Sequence, residues 1–298
     1  MITESGTRTI KVDALARVEG EGALKVRVTD GKITTLEFRI FEPPRFFEAF
    51  LQGRPYSDAP DLTARICGIC PIAYMMGASQ AMEAALGVGE LPVVADLRRL
   101  IYCGEWIESH VLHAAMLHAP DFLGLDDALQ IAKTHPELVQ AALRLKKLGN
   151  RILEVVGGRA VHPVGMKVGG FWRPAREAEI KGLIPEMDWG LEATEVLAKA
   201  FAGFDFPTLE QDTIYISLGG IDAYPIERGR IIGDNGLNVE PAGYLDAIEE
   251  QHVERSNALH ARLRDGSRYA VGPIARFNNN RDKLTPRAAN LADTIGLG

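Results

Sequence analysis

The stretch Arg65-Ile66-Cys67-Gly68-Ile69-Cys70-Pro71 decides how the chain is read. It places two thiols at metal-chelating spacing directly before a helix, with Cys70 at the N-cap position and Pro71 in the first turn. Aligned peptide dipoles at a helix start favour thiolate over thiol, and thiolate is the form a soft metal binds. The same spacing occurs in half of a structural zinc site and in thioredoxin-like redox centres. A zinc site needs two further ligands at close spacing, and the third cysteine, Cys103, stands alone. A thioredoxin-like centre needs a preceding strand, whereas residues 58–64 read as a loop entering a helix. Spacing alone leaves a redox or catalytic metal and a structural metal both open.

Downstream, a helix is predicted from Pro71 to about Leu86, with Gly87 as its stop and Met75, Met76 and Met82 as core filler. A longer helical pattern over about 93–119 aligns Leu97, Leu100, Ile101, Ile107, Val111 and Ala115. It also carries Glu105, Glu108, His110, His113 and His118. At 3.6 residues per turn, positions three and five apart do not all share a face, so these histidines read as ordinary hydrogen-bonded side chains. Another helix runs from about Pro136 to Gly157-Gly158. The glycines from Gly158 to Gly165 and at Gly169-Gly170, around Arg159 and His162, describe a rigid loop in a crowded place. No phosphate-cradling motif follows a strand there. Helices are predicted over about 175–201, broken near Pro185, and over 286–295; strands over 213–218 and 269–272. A helix over about 242–259 would contain Glu249-Glu250-Gln251-His252, one match to the Glu-x-x-His pattern of di-iron bundles, with no second match.

Upstream, Leu24, Val26 and Val28 alternate with polar residues, Asp30-Gly31 supplies a turn, and Ile33, Leu36, Phe38 and Ile40 follow: a β-hairpin. Ahead of it, Arg17-Val18-Glu19-Gly20-Glu21-Gly22 leaves Glu19 in a loop beside the first strand, where a solvated acidic turn is the commoner fate. Pro43-Pro44 ends the sheet, and 45–51 starts a short helix in which Glu48 is either a surface carboxylate or a buried ligand.

Hydrophobic content of 46% over 298 residues is enough for a sizeable core, and a net charge of -7 without basic runs argues against nucleic acid. Three cysteines cannot build a disulfide framework, which points to a reducing compartment. The N-terminus lacks a basic segment followed by an apolar one, and no run approaches 18 apolar residues; the expectation is a cytoplasmic protein without a membrane span.

Taken together and in order, Arg17-x-Glu19-Gly20, Arg45-Phe46-Phe47-Glu48, Arg65-x-Cys67-Gly68-x-Cys70, Glu108-Ser109-His110-x-x-His113 with Pro120-Asp121, and Gly158-Arg159-x-x-His162-Pro163 resemble the large subunit of [NiFe]-hydrogenases. The likeness is to the cytosolic NAD(P)-linked, sulfhydrogenase-like branch. It implies an α+β, mainly α fold, with a small N-terminal β-hairpin layer (residues 1–60) on a large helical core (61–298) that buries the CxxC loop. It implies that Cys67 is a terminal thiolate of nickel and that Cys70 bridges nickel to an iron carrying cyanide and carbonyl ligands. Glu19 would relay the proton from heterolytic cleavage of dihydrogen, Glu48 would ligate or neighbour a magnesium ion, and Asp121 would lie just behind the metal ligands. Arg159 and His162 would order their loop. Partners would be a small subunit with iron–sulfur clusters and NAD(P)-reductase subunits. Two departures stand out: Tyr74 occupies a position where the family commonly has histidine, and the sequence ends at Gly298 without the family's Asp-Pro-Cys-x-x-Cys-x-x-His segment. The expectation is that this chain supplies two of four protein thiolates. A truncated scaffold without the centre and a zinc-binding α-rich protein are the competing readings.

Overall fold

The computed structural model describes residues 6–42, 45–220 and 222–297. The expected sheet stop at Pro43-Pro44 and the first five residues of the N-terminal reading lie outside them. In chain order the elements are β1 (Thr7–Val12), β2 (Gly22–Thr29), β3 (Lys32–Ile40), α1 (Phe47–Leu51), α2 (Ala59–Thr63), α3 (Pro71–Leu86) and α4 (Pro92–Val111). A π-turn segment (Leu112–His118) leads to α5 (Ala119–Phe122), α6 (Ala128–Thr134) and α7 (Pro136–Gly157). There follow β4 (Met166–Lys167), β5 (Gly170–Phe171), α8 (Glu177–Lys181), α9 (Ile184–Ala202), β6 (Ile214–Gly219), β7 (Arg230–Gly233) and β8 (Asn238–Val239). The last elements are α10 (Tyr244–Ala247), β9 (Ile248–Val253), β10 (Ser256–Leu263), β11 (Tyr269–Ala270), α11 (Pro273–Asn280) and α12 (Pro286–Thr294).

The chain divides into two compact units. The first, residues 1–45, 212–217 and 230–279, is built on sheets. Its five-stranded sheet has the order β1-β2-β3-β10-β9. The predicted hairpin is its centre: Leu24 faces Phe38 and Val26 faces Leu36, and the turn residues Asp30 (φ 49°) and Gly31 (φ 75°) both adopt the left-handed backbone that such a tight turn requires. A second sheet, order β11-β6-β7-β8, packs around Ile216, Ile248 and Leu263.

One expectation fails here. Residues 242–259 are not one helix but α10 followed by the antiparallel pair β9 and β10. Ser256 pairs with Ile40, more than two hundred residues away, so the strand is fixed by a partner that local periodicity cannot reveal. In β9, Glu249 and His252 point to opposite faces, and the apparent Glu-x-x-His match dissolves.

The second unit, residues 46–211, 218–229 and 280–298, is helical. Helix α3 begins and ends where Pro71 and Gly87 (φ 68°) predict, and Met75 and Met76 are buried. Helices α4 and α7 form its spine, with Leu97, Ile101, Leu145, Leu148, Ile152 and Leu153 in a common core. They approach so closely that a Cβ built at Gly149 would lie 2.6 Å from the backbone N of Glu108 and the carbonyl O of Gly104. No helix among the described residues is long and apolar enough to cross a membrane.

Candidate metal-thiolate site

The CxxC loop lies between α2 and α3 in the helical unit. A short 3-10 turn (Ala64–Ile66) delivers Cys67 in extended conformation, and the chain then folds back so that the amides of Ile69 and Cys70 both point at Cys67 Sγ, at 3.3 and 3.2 Å. Two N–H donors on one sulfur stabilise its thiolate and fix its direction. Cys70 occupies the N-cap of α3, but its side chain makes no capping bond. The first amides of α3 turn instead to Glu105 on α4: Ile72 N donates to Oε2 at 2.5 Å and Ala73 N to Oε1 at 3.3 Å.

Glu105 is 2% exposed, and burial pushes its carboxyl up to about 8 despite those two amides. It lies one helical turn from Ile101 and three residues before Glu108, on the buried face of α4. An acid on an apolar stripe was the available sequence signal for it. Glu108 on the same face pairs with Lys146 at 2.9 Å.

An acid whose pKa is raised in the folded state adds stability that is fully present below its unfolded value of 4.5 and is lost as pH rises through about 8, since the folded chain then binds more protons than the unfolded one. Glu105→Gln removes this dependence. Urea unfolding should show wild-type stability falling between those pH values by on the order of 4 kcal/mol more than that of the variant; parallel curves would contradict the assignment.

The other face of the loop meets the glycine-rich segment. His162, itself in a left-handed conformation (φ 47°), donates from Nδ1 to the carbonyl of Ala64 at 2.7 Å. In the neutral ring this leaves Nε2 with a lone pair, and Nε2 lies 4.0 Å from where a Cβ on Gly68 would stand. Arg159 Nε donates to the carbonyl of His162 at 2.6 Å, which is the loop-ordering role expected of it. The crowding is real: a Cβ at Gly157 would come within 2.8 Å of Ile101 and Pro163 side-chain atoms. Asp61 on α2 also sits here; burial raises its pKa, Arg65 and Arg159 partly offset this, and its Oδ1 is buried without a hydrogen-bond partner.

The thiols are half-buried and Gly68 is exposed, so the loop is more open than the expected buried centre; its flanks, Ala64, Pro71 and Ile72, are what the core covers. Glu48 lies exposed in the first turn of α1 and Asp121 exposed in the first turn of α5, both in the helical unit. Glu19 lies exposed in the loop before β2 of the sheet unit. Tyr74, where a histidine was expected, is on α3 and exposed, and its carbonyl accepts from Thr63 Oγ1 at 3.2 Å. Among the described residues no three His, Cys, Asp or Glu side chains group as a metal cage. His113 and His118 do meet, Nε2 to Nε2 at 2.5 Å, because the π-turn brings residues five apart onto one face; the α-helical spacing argument does not hold across it.

Comparison with known proteins follows the same elements. The family model of nickel-dependent hydrogenases matches residues 45–142, which span the CxxC loop, α3 and α4. The vhu F420-non-reducing hydrogenase of Methanocaldococcus jannaschii has a catalogued A chain that is 31% identical over 94% of this chain and 72% of its own length. The chain belongs to the nickel-dependent hydrogenase family. The alpha chain of sulfhydrogenase 1 from Pyrococcus furiosus is 31% identical over 95% of this chain, which spans 66% of that relative; the match to the alpha chain of sulfhydrogenase 2, at 43% identity, covers 42% of that one. Among solved structures, an NAD+-reducing [NiFe]-hydrogenase in the H2-reduced state superposes with a TM-score of 0.81 at 28% identity, over 95% of this chain and 68% of the other. The α+β fold is thus that of hydrogenase large subunits, and a two-thiolate loop with amides aimed at sulfur suits the soft metal of a nickel-dependent family.

Proposed function

We propose that this chain is the part of a [NiFe]-hydrogenase large subunit that contributes Cys67 and Cys70 to the nickel–iron centre. The observation that carries the reading is the pair of amides converging on Cys67 Sγ at the start of a buried helix. In this reading Cys67 binds nickel terminally, and Cys70 bridges nickel to an iron bearing carbonyl and cyanide. When bound, the centre supplies a soft Lewis acid at which dihydrogen is split heterolytically. The chain's own part is to hold the two thiolates in a fixed direction and to take the proton away, first at the Glu19 carboxylate. Glu48 serves a nearby magnesium ion, and Asp121 supports the ligands from behind. Electrons leave through a small subunit with iron–sulfur clusters to NAD(P)-reductase subunits, an assignment consistent with the beta chain of the NAD-reducing hydrogenase HoxS of Cupriavidus necator among the relatives. A cytoplasmic location follows from that acceptor.

The test separates ligand from relay in the assembled complex. Cys67→Ser should lose nickel and H2-dependent dye reduction together. Glu19→Gln should keep nickel while turnover falls by about 100-fold or more. Nickel retained by Cys67→Ser, or full turnover in Glu19→Gln, would each remove the corresponding assignment.

A further inference from the structure

Cys70 stands at the N-cap of α3, where a side chain ordinarily folds back onto the amides two and three residues ahead. A cysteine committed to a metal cannot also do this. The amides at those positions, Ile72 and Ala73, are nevertheless satisfied, by a carboxyl that reaches them from a helix more than thirty residues later. That carboxyl is almost wholly buried, and α3 and α4 both pack into the core that surrounds it. Unpaired, the two amides would carry the desolvation cost of buried donors, or would draw Cys70 back to cap them.

We propose that Glu105 is a positioning residue for the thiolate pair, capping the CxxC helix from α4 so that Cys70 is held for metal binding rather than for helix capping. The inference rests on the CxxC loop being a metal-thiolate site. With its pKa raised to about 8 by burial, the side chain accepts from the amides while uncharged at neutral pH, so the positive end of the helix remains available to the Cys70 thiolate. The two contacts are unequal. The shorter, to Ile72, needs one carbonyl-type oxygen; the longer, to Ala73, needs the second. Glutamine reproduces the first and not the second, whereas methionine fills the space and reproduces neither.

The experiment is Co2+ titration of the 298-residue chain, reduced and free of metal, read by the near-ultraviolet sulfur-to-cobalt charge-transfer absorption, with circular dichroism confirming the fold of each variant. Glu105→Met should weaken Co2+ binding at least about tenfold and diminish the charge-transfer intensity per bound ion, as loss of a group that orients a metal ligand does. Glu105→Gln should recover most of both. Should Glu105→Met fail to fold, the comparison of Glu105→Gln with wild type decides: a drop of severalfold in affinity supports the role. An unchanged affinity and band in the folded Glu105→Met chain, or in Glu105→Gln where that comparison decides, overturns it. The underlying reading fails separately, if Cys67→Ser leaves the wild-type charge-transfer band intact.

Discussion

Replacing Arg98 with methionine will lower the stability of the helical unit by about 3–5 kcal/mol, readable as a shift in the urea midpoint without loss of native circular dichroism in water. Arg98 is wholly buried in α4. Its Nη1 donates to Glu83 and to Glu90, both at 2.9 Å, and its Nη2 to Glu83 at 2.6 Å and to the Lys167 carbonyl at 3.3 Å. Burial alone would raise the Glu83 carboxyl; the Arg98 bonds and the Gly169 amide outweigh it and hold it below the ordinary carboxylate value. Methionine keeps the stem volume but leaves Glu83 buried without its cation, and it is this uncompensated charge, rather than a lost attraction, that sets the size of the effect. The double variant Arg98→Met/Glu83→Met should recover most of the loss. Glu90 retains a second partner, Arg228 at 2.8 Å, and Glu227 links Arg228 to Arg99, so the network spreads from α3 and α4 to residues 218–229. A loss under about 1 kcal/mol would mean that the network behaves as exposed ion pairs do.

Gly149→Ala will destabilise by about 2–3 kcal/mol, although alanine is the better helix former. The added Cβ would meet backbone atoms of Glu108 and Gly104 at 2.6 Å, and backbone in a helix cannot step aside as a side chain can. The α4 and α7 axes must separate, which loosens Ile152 and Leu153 where they lie against Gly104. Gly77, in the middle of α3 with nothing within 4 Å of its Cβ position, is the control. There, alanine should be neutral or stabilising by up to about 1 kcal/mol. Equal effects at the two glycines in thermal unfolding would show that helix propensity, not helix approach, governs Gly149.

What could be read from sequence was what local chemistry fixes. Cys70-Pro71 and Gly87 bound α3, Asp30-Gly31 fixes the hairpin, and the paired glycines forecast the crowding around His162. The family could be read because five motifs stand in order, each with a residue type that its chemistry demands. What escaped depends on distant partners. Strand β10 exists because β3 is there to pair with it. The His113–His118 contact exists because the backbone adds a residue to its turn. Glu105 and Arg98 are ordinary helix residues by type; only packing reveals one as a buried cap and the other as the centre of a buried ion network.

The central claim is that Cys67 and Cys70 hold nickel, and nickel K-edge X-ray absorption of the purified complex measures it directly. The account predicts a sulfur-rich nickel site in the wild type that loses sulfur scattering in both Cys67→Ser and Cys70→Ser. A nickel site whose sulfur coordination is the same in both variants, or zinc bound in place of nickel, would contradict it.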